Sequence, residues 1–106
     1  LLTSEGSIII GMQRNGLFVS VYDSSESDGN QIPSVVGGAN ELSLLVEEGA
    51  KAGSTSLTYA VNGMEVYNLV LEKPKTFTAN LGVIVYTIDE KCSTSYAFDD
   101  FHVYKQ

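Results

Sequence analysis

The stretch Ser54-Thr55-Ser56-Leu57-Thr58-Tyr59-Ala60-Val61-Asn62-Gly63-Met64-Glu65-Val66-Tyr67-Asn68-Leu69-Val70-Leu71 decides the fold. In its first half Leu57, Tyr59 and Val61 alternate with Ser56, Thr58 and Ala60, the period of a strand with one apolar face. Asn62-Gly63 then supplies two residues that tolerate positive φ, the signature of a type I′ hairpin turn. Residues 64–71 return as the second strand, which regular alternation reads with Met64 and Val66 inward and Glu65 and Tyr67 outward.

The same logic extends in both directions. Residues 41–47 carry Leu42, Leu44 and Val46 on one face. A helix over 39–52 fits less well, because Gly49 interrupts it and the apolar residues alternate. Upstream, 7–13 is an apolar run, Arg14-Asn15-Gly16 offers a second Asn-Gly turn, and 17–22 returns with Leu17, Val19 and Val21 on one face. Residues 23–40 read as a long loop, with 32–36 a short edge strand that Pro33 confines to an edge. Downstream, 81–88 is apolar on both faces, as a central strand is. Residues 95–104 read as the closing strand, in which Phe98 and Phe101 both point inward if a β-bulge sits at Asp99-Asp100.

The ordered set of a strand, Val61-Asn62-Gly63, a strand, Leu81-Gly82-Val83-Ile84-Val85-Tyr86, a loop and Phe98-Asp99-Asp100-Phe101-His102-Val103-Tyr104 resembles the C-terminal half of concanavalin A-like, laminin G-like jelly-roll domains. The resemblance spans residues 41–104. It implies two packed antiparallel sheets in an extracellular or cell-envelope protein, often a glycan- or protein-binding module. Such domains carry further N-terminal strands, and little precedes Ser7 here. The expectation is therefore an all-β antiparallel β-sandwich, jelly-roll-like, of about seven short strands and lacking N-terminal strands. Residues 1–106 form one domain or the C-terminal part of one, and the opening at Leu1-Leu2 reads as a mature or trimmed start.

Six basic against 13 acidic residues give a net charge of −7. That balance repels phosphate backbones and anionic head groups, which disfavours nucleic acid and membrane surfaces as partners. No apolar run reaches the roughly 18–20 residues of a spanning helix. The single cysteine, Cys92, has no internal partner for a disulfide and reads as a lone thiol, the alternative being a pair with a cysteine outside this stretch.

Chemistry is sparse. His102 is the sole histidine, no Gly-x-Ser-x-Gly elbow occurs, and the acidic pairs are adjacent residues that a strand sends to opposite faces. The expectation is a protein that is not an enzyme. The loop residues Asp23, Glu26 and Asp28 supply oxygen ligands near a glycine, making them weak calcium candidates, although the EF-hand register fails. A glycan site needs aromatic faces beside polar groups, and Thr58, Glu65 and Tyr67 are the candidates on the outer face of the Asn62-Gly63 hairpin. Carbohydrate recognition by an extracellular binding or adhesion module is the first expectation. The alternative is a structural or assembly domain whose partner supplies missing strands, by self-association or strand donation at an open sheet edge.

Overall fold

The computed structural model describes residues 1–3, 6–13, 16–22, 24–27, 39–73, 82–83, 91 and 97–104, with the backbone alone at 13 and 24–27. Seven strands and no helix occur among these residues, arranged as two antiparallel sheets. The first sheet runs in the order β1 (Leu2–Thr3), β2 (Gly6–Gln13), β3 (Gly16–Val21) and β4 (Ser24–Ser27). The second is a meander of β5 (Leu42–Glu48), β6 (Thr55–Val61) and β7 (Met64–Leu71). Residues 42–48 are thus a strand, as the alternation predicts.

Short connections set both ladders. Asn62 and Gly63 have φ of 53° and 77°, the left-handed pair that a two-residue type I′ turn requires. Asn62 also ties down the start of β5. Its backbone N–H donates to Glu41 O at 2.8 Å, and its Oδ1 accepts from Glu41 N–H at 2.9 Å. In the first sheet the ladder closes at Gln13↔Gly16. Gly16 is therefore already part of β3, and residues 14 and 15 lie outside the described residues.

The core forms where the inner faces carry apolar side chains. Leu17 and Val19 of β3 cluster with Tyr59 and Val61 of β6. Ile8 of β2 clusters with Leu57 of β6 and Leu71 of β7. Both clusters draw on both sheets, because alternation gives the strands apolar inner faces. Leu57 and Val61 have no exposed surface. Full burial of such side chains is worth about 1.5–3 kcal/mol each.

Several expectations need correction. The predicted long loop contains β4, whose ladder with β3 runs from Phe18↔Ser27 to Val21↔Ser24. Its 32–36 edge strand lies outside the described residues. Ahead of Ser7, Leu2–Thr3 pairs with β2, so the N-terminal edge is partly covered. Of the predicted strand 81–88 only Gly82 and Val83 are described, both exposed and outside any strand.

The closing strand is the largest departure. Residues 97–104 form no strand, and Phe98 and Phe101 are both exposed rather than buried together. The physical reason sits between them. Asp100 adopts a left-handed φ of 49°, which ends the extended run, and the adjacent carboxylates of Asp99 and Asp100 stay in water.

The bulge is in β7 instead. Tyr59 faces Tyr67 while Ala60 faces Glu65, so Val66 is an extra residue on its strand. This shifts the phase on its C-terminal side. Tyr67, expected outward, packs with Val66 against the core cluster of Tyr59 and Val61. Met64, expected inward, is mostly exposed beside the turn.

Candidate functional site

The outer face of the second sheet follows from its registers. Three rows cross it: Glu47, Ser56 and Val70; Leu45, Thr58 and Asn68; Ser43, Ala60 and Glu65. Each strand presents here the residues that its inner alternation leaves over.

Asn68 organises the middle of this face. Its Nδ2 donates to Ser56 Oγ and to Thr58 Oγ1, both at 2.8 Å. The amide thereby bridges the hydroxyls of two adjacent rows across β6 and β7. Among the described residues no group occupies Asn68 Oδ1, which remains an acceptor facing water. Glu47 and Glu65 place a carboxylate at each end of the face, and Leu45 and Val70 are its exposed apolar members.

The structure therefore brings together Thr58 and Glu65 but separates Tyr67 from them. Thr58 pairs with Asn68 and Glu65 with Ala60, both on the outer face, whereas Tyr67 belongs to the inner face with Tyr59. Sequence reasoning missed Ser56 and Asn68. Their signal was available, since Ser56 and Thr58 share a phase, but finding Asn68 beside them required the bulge at Val66. An outer face with hydroxyls, an amide and carboxylates but no aromatic ring can exchange hydrogen bonds with a polar ligand. Among the described residues this face presents no aromatic ring on which a sugar could stack.

Of the calcium candidates, Asp23 and Asp28 lie outside the described residues. Glu26 is placed by its backbone on β4, opposite Val19. Among the described residues no three His, Cys, Asp or Glu side chains converge as a metal group. Cys92 lies outside the described residues as well. No helix among them is long and apolar enough to cross a membrane.

His102 stacks on Tyr104 with ring centroids 5.8 Å apart and planes at 26°. Both rings are exposed, in the segment that also exposes Phe98, Phe101 and Val103. The other unusual polar group is internal. Tyr59 is 4% exposed and its hydroxyl finds no hydrogen-bond partner among the described residues. Burial pushes this phenol up to about 12, because the phenolate loses its hydration there.

Comparison with protein-family models, with curated proteins and with solved structures returned no match.

Proposed function

We propose that this chain is a non-catalytic assembly or adhesion domain, a β-sandwich that engages a protein partner by completing its own strand pattern. The mixed composition of the two core clusters supports the sandwich, since face-to-face sheets share one apolar layer. The laminin G-like resemblance of residues 41–104 supports a jelly-roll relationship and an extracellular or cell-envelope setting.

One observation carries the assembly reading. Phe98, Phe101, Val103 and Tyr104 are 51%, 57%, 68% and 82% exposed, four large apolar side chains within seven residues. A contiguous exposed group of this kind marks an interaction surface or an aggregation hazard. Sedimentation velocity over a range of concentrations tests the reading. Concentration-dependent association is expected, and a monomer at every concentration would overturn it.

A second reading, weak carbohydrate recognition, is favoured by the hydrogen-bonded Ser56, Thr58 and Asn68 group. Its test is a glycan array with Asn68→Ala, which should lose any binding while keeping its fold.

A further inference from the structure

We propose that residues 101–104 are a strand donor, and that the acceptor is the open β5 edge of a second copy of this chain. The proposal rests on the assembly reading and names its partner and its geometry.

The donor is already strand-shaped. His102 and Tyr104 stack although one residue separates them, and an extended backbone is what puts i and i+2 on one side. Phe101 and Val103 then share the opposite side. Among the described residues no backbone hydrogen bond reaches 97–104, so the peptide groups that a ladder would use are available. Among the described residues the segment is therefore apolar, extended and unpaired at once.

The acceptor follows from a comparison of the two edges of the second sheet. Among the described residues β5 and β7 each pair only with β6. β7 carries the Val66 bulge, a device that twists an edge away from further pairing. β5 has none. It runs in unbroken register from Leu42↔Val61 to Glu48↔Thr55.

The bonds Asn62 N–H to Glu41 O and Gly49 N–H to Ser54 O fix which β5 residues face β6. By antiparallel alternation these are the odd-numbered ones, so Leu42, Leu44, Val46 and Glu48 turn their peptide groups to the open edge. The side chains of Leu42, Leu44 and Val46 lie on the inner face and are only partly covered. A neighbouring strand bearing Phe101 and Val103 would cover them.

Charge selects the direction. An antiparallel donor would lay Asp99-Asp100 beside Glu47-Glu48, and like charges across a ladder are destabilising. A donor parallel to β5 places the acidic pair at the Leu42 end, beside the single carboxylate of Glu41 instead of two. In the single folded chain this segment is not docked on its own β5, which leaves the edge of another copy. Reciprocal donation closes a two-fold dimer.

Phe101→Asp alters the donor, and because Phe101 is exposed its fold should be retained. Val46→Pro alters the acceptor, removing an N–H that faces the open edge and not β6. Leu42→Lys is the substitute if Val46→Pro lowers the denaturation midpoint, since Leu42 is already half exposed.

In sedimentation velocity the full chain should dimerise, and each variant alone should raise the dimer dissociation constant by roughly tenfold or more, the scale of one interface anchor. Mixing the donor variant with the acceptor variant should restore association, because the pair retains one intact donor and one intact edge. Association that Phe101→Asp leaves unchanged, or a mixture that stays monomeric, would overturn the strand donation while leaving the assembly reading in place. A wild-type chain that never associates would overturn both.

Discussion

Tyr67 lies directly across the β6–β7 ladder from Tyr59, and both face the core, although the next pair along is Ala60 with Glu65. One inserted residue, Val66, reconciles those two registers. It lets an aromatic pair close the inner layer while Glu65, two positions before Tyr67, stays in water on the outer face. The bulge thus decides which face Tyr67 serves, and takes its ring off the outer face.

Deletion of Val66 should therefore be tolerated. Without it Met64, Glu65 and Tyr67 meet Val61, Ala60 and Tyr59 in regular succession, and every inner side chain keeps its face. The cost should be the lost packing of one half-buried valine, about 1–2 kcal/mol. Deletion of Asn68 is the contrast, because it slips the phase and turns an apolar set outward. Urea denaturation of both variants checks this, and equal destabilisation would mean that the bulge is elsewhere.

The Asn62-Gly63 turn separates backbone strain from hydrogen bonding. Gly63→Val should destabilise by about 1 kcal/mol or more, because a β-branched residue resists the φ of 77°. Asn62→Ala should cost about 1–2 kcal/mol, since it loses both left-handed tolerance and the bond from Glu41 N–H. Asn62→Gly keeps the first and loses the second, so its denaturation midpoint should fall between wild type and Asn62→Ala.

Alternation and turn chemistry made β2, β3, β5, β6 and β7 legible, because each has an apolar face and an adjacent turn signal. What they could not reveal depends on partners distant in sequence. Ser24–Ser27 has no apolar residue and forms a strand only because β3 offers an edge across a tight turn. Residues 95–104 have strand-like alternation, yet no strand forms over the described 97–104. Periodicity reports the capacity to pair, not the presence of a neighbour. The outer-face site was half legible for the same reason. Thr58 and Glu65 follow from local phase, but a bulge is invisible in a stretch that alternates acceptably without one, so Tyr67 was assigned the wrong face and Asn68 was passed over.

The turn between β5 and β6 has a steric lock. Gly49 N–H donates to Ser54 O at 2.9 Å, while Ser54, only 2% exposed, donates its N–H and Oγ–H to Lys51 O. A methyl group at Gly49 would overlap Ser54 Oγ, with the Ser54 backbone close behind. Gly49→Ala should thus destabilise by about 1–3 kcal/mol, the range of a forced overpacking. In a double-mutant cycle, Ser54→Ala should recover part of that loss, because the clashing atom is gone. Strictly additive effects would show that Gly49 is required for some other reason.

The buried Tyr59 hydroxyl gives the final prediction, in two parts. A buried hydroxyl without a partner is a cost to folding, so Tyr59→Phe should leave stability unchanged or raise it by about 1 kcal/mol at neutral pH. The pH dependence has a definite sign. In the unfolded chain the phenol ionises near 10, whereas burial holds it protonated in the fold up to about 12. Below pH 10 both states keep the proton, and Tyr59 imposes no pH dependence. Between about 10 and 12 the unfolded chain sheds a proton that the folded chain retains, so stability falls as pH rises through this window. Other tyrosines also ionise near pH 10, so the wild-type curve alone is ambiguous, and the difference from Tyr59→Phe isolates this residue. Urea midpoints measured from pH 8 to 12 should run parallel below 10 and diverge above it, the variant losing less. Curves that stay parallel throughout would mean that the Tyr59 phenol is hydrated in the fold.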